Sequence, residues 1–194
     1  MAAKPGERKL QILQTVAQML EQPKGEKITT AALAARLELS EAALYRHFAS
    51  KAQMFEGLIE FIEQTMFGLI NKITQEEKSG VKQIEAIVTM LFNFAQKNRG
   101  MTRVLIGDAL VNEDERLQLR INQLFDRIEA TLKQSLRMAA TQGELGEAVD
   151  VGAHANVLVC YVIGRWTQFA KSGFAREPMA QLPTQLAILL NRKN

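Results

Sequence analysis

Ile28–Phe55 reads ITTAALAARLELSEAALYRHFASKAQMF, and its hydroxyl residues punctuate it into three helix starts. Thr29 and Thr30 open a short helix that carries Leu33, Ala34 and Leu37 on one face. Glu38-Leu39 makes a tight turn. Ser40 caps a second short helix running through Tyr45, Arg46 and His47, and Ser50 caps a third that begins at Lys51. The first amides of a helix have no partner within it, and Ser or Thr oxygens accept from them. Two short helices around a tight turn, followed closely by a third cap, predict a helix-turn-helix. Phe48 and Phe55 are expected as core plugs.

Upstream, Glu7 to Gln22 predicts a first helix. Leu10, Leu13, Ala17 and Leu20 recur at helical spacing, and Ile12, Val16 and Met19 widen the stripe. Pro23-Lys24-Gly25 stops it. Charge follows the same division. Residues 1–51 hold eight Lys or Arg against five Glu, while the remaining 143 residues hold sixteen of each sign. The whole excess of +3 therefore sits on the segment that would meet phosphates.

Downstream, strand signals are scarce and the chain reads all-α. Lys51 to Lys78 predicts a long fourth helix with Phe55, Leu58, Ile59, Ile62, Met66, Leu69, Ile70 and Ile73 in its stripe, and with Phe61 off it. Val81 to Gln96 turns Ile84, Val88, Leu91 and Ala95 inward and places Met90, Asn93 and Lys97 on another flank. A short helix follows from Met101 to Ala109. Asn112 is expected to cap a seventh helix with the stripe Leu117, Ile121, Leu124, Phe125, Ile128, Leu132 and Leu136 and an Arg-rich outer side. The eighth helix, about Glu147 to Lys171, is apolar over most of its circumference, and Leu182 to Leu190 is the ninth. The expected division is a three-helix DNA-binding domain over residues 1–50 and a dimerising, partner-binding domain over 51–194.

In the eighth helix Val149, Ala153, Val157, Tyr161 and Gly164 can cover the chain's own core. Val151, Ala155, Leu158, Val162 and Trp166, joined by Leu186 of the ninth, then need a second copy to cover them. The competing reading is a central helix buried on all sides. The lone Cys160 leaves no intrachain disulfide, and no apolar run is long enough for a bilayer, so the expectation is a cytoplasmic protein. No metal-ligand spacing, Gly-rich phosphate loop or nucleophile motif stands in the sequence. The reading is therefore no enzyme, no metal and no cofactor.

Ser40 to His47 is expected in the major groove, with Glu41, Ala42, Ala43 and Arg46 at base edges and small Ala42 and Ala43 allowing contact with thymine methyls. Thr29, Thr30, Tyr45, His47 and Lys51 suit phosphates, and Lys4, Arg8 and Lys9 form a basic arm. For His47 a capping or core role stays open, and for Tyr45 partial core packing. Off-stripe Phe61 and Met90, with Leu69, Asn93 and Lys97, suggest a groove between the fourth and fifth helices. It would suit a short extended peptide carrying an acidic residue, and ordinary interhelical packing is the alternative.

SEAALYRHFASKAQMF, with its Leu-Tyr-x-His-Phe and following Ser-Lys, resembles the signature of the TetR family of regulators. ITTAALAARL, MFEGLIEFIE, MTRVLIGDAL and DERLQLRINQLFDRIEATLKQSLR resemble, more narrowly, the family's nucleoid occlusion branch, over about residues 7 to 137. The resemblance implies a TetR-like fold of about nine helices, a homodimer, and palindromic duplex DNA as one partner. It further implies that the DNA-bound protein engages the tail of the division protein FtsZ, whose ring it antagonises over the nucleoid. A TetR-type repressor released by a small effector is the alternative; the apolar stripes offer no inward polar set to orient one, so none is expected.

Overall fold

The computed structural model describes residues 5–22, 28–146 and 149–190, and within these the regular structure is helical: α1 Pro5–Leu20, α2 Thr30–Arg36, α3 Glu41–Tyr45, α4 Lys51–Glu76, α5 Gly80–Lys97, α6 Arg99–Leu105, a 3-10 turn over Asp108–Leu110, α7 Glu115–Thr141, α8 Val151–Lys171 and α9 Leu182–Leu190. Lys4, Pro23-Lys24-Gly25 and Glu147 lie outside the described residues. None of the described helices is long and apolar enough to cross a membrane.

Backbone contacts group the chain into two compact units rather than dividing it after residue 50. The first comprises residues 1–62 and 98–121, the second residues 63–97 and 122–194. The helix-turn-helix is thus grouped with the first half of α4, with α6 and with the start of α7. In that first unit Ile12, Leu33, Leu44, Phe55 and Leu58 are at most 1% exposed, which makes one continuous core under the three short helices. The inward face of α1 centres on Ile12, Val16 and Met19, while Leu10 is 43% exposed; the inward stripe is displaced by part of a turn from the expected one. Gly100 of α6 lies so close to α1 that a Cβ there would fall 1.9 Å from the Ala17 carbonyl oxygen. Glycine is the residue that permits this approach of backbone to backbone.

Asn112 does not cap α7. It sits at φ 65°, and the amide of Arg116 is held instead by Asp114 Oδ1 at 3.1 Å, one residue before the helix proper.

The second unit is built around α5, α7 and α8. Trp166 and Phe125 meet at 6.0 Å between ring centroids, Phe92 and Tyr161 at 5.5 Å, and Phe169 and Phe174 at 5.1 Å. A buried polar link crosses this core without leaving a loose end. Ser135 Oγ donates to Gln83 Oε1 at 2.8 Å, and Gln83 Nε2 donates to the carbonyls of Thr74, in the last turn of α4, and of Glu77, just after it. Both side chains are nearly inaccessible, so the partners are required by desolvation alone. The start of α5 is closed from far away: its Gly80 amide donates to Gln142 Oε1 and its Val81 amide to Glu144 Oε2, both at 2.9 Å.

Two carboxylates cap helix or turn amides locally. Asp150 Oδ1 accepts from Ala153 and Gly152, and Glu77 Oε1 accepts from Lys78 and Ser79. The Ala153 amide, then that of Gly152, holds Asp150 below its ordinary range, and the Ser79 amide does the same for Glu77. A group whose folded pKa is depressed stabilises the fold above its unfolded pKa and loses that contribution as pH falls through the folded one. Thermal stability is therefore expected to decline on acidification below about pH 4. Asp150→Asn should flatten that decline, as melting curves at successive pH values can check. Equal slopes for both proteins would remove Asp150 from the account.

Candidate nucleic-acid interface

Thr29 stands at the N-cap of α2 in extended conformation, and its Oγ1 accepts from the Ala32 amide at 3.1 Å. After Leu37 the chain reverses through Glu38 at φ 54°. The Leu39 amide donates to Ala34 O and the Glu38 amide to Ala35 O, the paired bonds of a Schellman ending. Ser40 then caps α3, its Oγ accepting from Ala43 N at 3.2 Å. A five-residue helix has almost no stability of its own, so it is held by Leu44, at 0% exposure, and by Phe48 beneath it. Lys9 of α1 covers the Phe48 ring with its ammonium at 5.6 Å.

That anchoring turns the other side outward. Glu41, Ala42, Tyr45 and Arg46 are exposed, Tyr45 at 46%, while Ala43 and His47 are half-buried. Thr29 and Ser40 use oxygen lone pairs in capping and keep their hydroxyl protons, the part a phosphate oxygen requires. Thr30 and Lys51 are placed otherwise than expected. Thr30 Oγ1 donates its one proton to Glu41 Oε2 at 2.5 Å. Lys51 is joined to Glu113 at 2.5 Å, with side chains 23% and 14% exposed, and lies 5.7 Å from the Phe55 ring centroid. The one Thr30 proton is committed to Glu41, and the Lys51 charge is paired with Glu113 in this conformation. Sequence reasoning missed the Lys51 pair because its acid lies sixty-two positions away. Arg8 and Lys9, expected in an arm, belong to α1, where Arg8 donates to Gln11 Oε1 at 2.8 Å.

Comparison with known proteins fits this geometry. Residues 17–58 match the family described as bacterial regulatory proteins, tetR family. Residues 78–194 match the SlmA-like family described as tetracyclin repressor-like, C-terminal domain. The nucleoid occlusion factor SlmA of Marinomonas sp. (strain MWYL1) is 50% identical over 189 residues, 97% of this chain and 96% of that protein. The chain belongs to the SlmA family of TetR-type nucleoid occlusion factors. SlmA of Alteromonas mediterranea is likewise 50% identical over 96% of the chain and 95% of its own length. Among solved structures, the fatty acid degradation regulator FadR from Bacillus halodurans has a TM-score of 0.78 at 16% identity, covering 98% of this chain and 97% of that one. At that identity the likeness concerns the fold, and it is the TetR fold expected from the sequence.

In this SlmA-family chain the other expected residues fall as follows. On α4 and α5, Phe61 is 38% and Leu69 43% exposed, Asn93 and Lys97 are exposed, and Met90 is half-buried. Leu69 therefore stands outside the core stripe to which its spacing assigns it. Phe61 belongs to the first unit, and Leu69, Met90, Asn93 and Lys97 to the second.

The expected dimer face is corrected. Ala155, Leu158, Val162, Trp166 and Leu186 are 0 to 3% exposed within the single chain, and Val151 is half-buried. They form the chain's own core. Of the face assigned inward, Ala153, Gly164 and Val157, the last at 48%, are exposed, with Ile188 of α9 at 73%, while Val149 and Tyr161 are half-buried. The helix is apolar on both sides, so periodicity gives its pitch without its phase. Tyr161 ties this side of α8 to α9 by donating to Gln185 Oε1 at 2.6 Å, and burial raises its phenol pKa. Arg165 secures the connection to α9, its guanidinium donating to the carbonyls of Glu177, Pro178 and Ala180.

Among the described residues no group of His, Cys, Asp or Glu could hold a metal ion. An open cleft of about 600 Å³ in the second unit is lined by Thr74, Gln83, Gln134, Ser135, Arg137 and Thr141 among others. The hydroxyls of Thr74 and Thr141 are turned back to carbonyls of their own helices.

Proposed function

We propose that the protein acts as a homodimer on palindromic sites dispersed over the nucleoid and, while DNA-bound, engages FtsZ and antagonises ring assembly. The observation that carries this reading is the 50% identity to nucleoid occlusion factors over 97% of the chain. The outward face of α3, with Glu41, Ala42, Tyr45 and Arg46 around buried Leu44, supports insertion into a major groove. Exposed Val157 and Ile188 support pairing of α8 and α9 with their copies. Thr29, Ser40 and Tyr45 would hold phosphates, and Ala42, Ala43 and Arg46 would face base edges.

Thr29→Ala and Tyr45→Ala are expected to weaken binding to every sequence alike. Neither hydroxyl carries a charge, so each loss should lower affinity uniformly while leaving the slope of log affinity against log salt nearly unchanged, as for a hydrogen bond to phosphate rather than an ion pair. Titrations of specific and unrelated duplex at several salt concentrations check this, and undiminished affinity in both variants would defeat the assignment.

For FtsZ, the proposed contacts are Leu69, Met90, Asn93 and Lys97, with exposed Phe61 tested separately. Exposed apolar groups beside a lysine suit a short peptide with an acidic residue. An FtsZ polymerisation assay with and without specific duplex tests the function itself. Inhibition is expected to require the duplex and to be abolished in Lys97→Glu and reduced in Phe61→Ala, with DNA affinity retained. Full antagonism by both DNA-bound variants would displace the contact surface. Chromosomal mapping separates this function from an effector-released repressor, since the repressor would occupy one or two promoters rather than many scattered sites.

A further inference from the structure

Glu41 is a carboxylate on the outward face of a helix read as DNA-facing, where it faces repulsion from the phosphates. Its Oε2 accepts the Thr30 proton at 2.5 Å, an ion-assisted bond that joins the first residue of α2 to the first of α3. The bond removes rotamer freedom from an exposed side chain that would otherwise sample many positions. It leaves Oε1 with its lone pairs, and an ionised carboxylate only accepts. In the major groove a lone acceptor is matched by the exocyclic N4 amine of cytosine. Adenine offers its N6 amine beside the N7 acceptor, which repels a carboxylate.

We infer that Glu41 reads cytosine N4 through Oε1 and that Thr30 is its positioning residue rather than a phosphate contact. The inference rests on the DNA-binding function proposed above and assigns the site's base preference. Glu41 lowers affinity for all duplexes through its charge and recovers it where the amine is presented, so its effect is to widen the gap between right and wrong sites.

The test measures binding of the full-length protein to a library of duplexes varied at each half-site position, together with salt slopes. Wild-type protein is expected to prefer cytosine at one position per half-site by roughly tenfold. Glu41→Ala and the isosteric Glu41→Gln should each lose most of that preference while binding unrelated duplex more tightly. Thr30→Val should weaken the same preference at the same position with its salt slope unchanged, and Thr30→Ser should restore it. Melting curves accompany each variant, so that a folding defect in one leaves the isosteric partner to decide. Both Glu41 variants keeping every base preference would overturn the inference while leaving the DNA-binding function standing. So would a uniform loss of affinity for every duplex in Thr30→Val with all base preferences kept, since that marks a phosphate contact. A wild-type chain that binds no duplex would overturn both.

Discussion

Replacing Gly100 with alanine is expected to lower thermal stability by about 3 kcal/mol, or roughly 6–12 °C in melting temperature. The new Cβ would fall 1.9 Å from the Ala17 carbonyl oxygen and 2.8 Å from its carbon. Both are backbone atoms of a helix, so no side chain can rotate away, and α1 and α6 must separate. Since α1 supports the helix-turn-helix core through Ile12 and Val16, DNA affinity is expected to fall with stability. Two other glycines calibrate the result. At Gly57 the nearest atom is the Phe48 ring carbon Cε1 at 3.2 Å, which can shift by tenths of an ångström. At Gly68, inside α4, nothing lies within 4 Å, and alanine should stabilise by up to about 1 kcal/mol. Melting curves of the three variants decide the matter. A Gly100→Ala protein within about 2 °C of the parent would show that the seam between α1 and α6 is looser than described.

Trp166→Ala is expected to cost about 3–5 kcal/mol, and the loss should be the same at every protein concentration. The side chain is 0% exposed within one chain and packs on Phe125, so its removal leaves a cavity whatever the association state. Trp166→Phe gives a milder loss of the same kind if the alanine variant does not fold. Val157→Glu should do the opposite: its position is 48% exposed, so each chain keeps its fold while a charge disrupts pairing of the α8 faces. Sedimentation and melting over a range of concentrations distinguish the two. A concentration-dependent loss for Trp166 variants would return that residue to the interface.

The chain is legible where the deciding interaction is local. Thr29, Ser40 and Ser50 each sit beside the amides they cap, and the stripes of α5 and α7 stand against strongly polar opposite faces, which sets their direction as well as their pitch. Legibility fails where the deciding partner is remote or where two faces look alike. α8 carries apolar residues all round, so Ala155, Leu158, Val162 and Trp166, expected against a partner, are buried in the chain, while Ala153, Val157 and Gly164, expected in its core, are exposed. Leu69 lies three residues after Met66 and four before Ile73 yet stands outside the core. Lys51 resembles a phosphate ligand because Glu113 is distant in the chain. Gly80 and Gly100 read in the sequence as breaks between helices, although both lie within helices and a Cβ at Gly80 would fall 2.4 Å or less from the backbone of Ser135 and Ala139. Within the candidate site the cap residues and the exposed turn are legible. The bond between Thr30 and Glu41 is not, because each residue by itself suits DNA and no spacing rule pairs them.

The seam between Ala17 and Gly100 also bears on how the protein is made. The helices read as DNA-facing leave the ribosome before α6, and the surface against which α1 closes is translated some eighty residues after α1, a delay of roughly 4–16 seconds at ordinary elongation rates. During that interval the nascent reader lacks its support. The start of α5 waits in the same way for Gln142 and Glu144. A chain terminated before α6 would accordingly carry the whole DNA-reading sequence and still leave α1 without its seat, which couples competence on the chromosome to translation past Gly100.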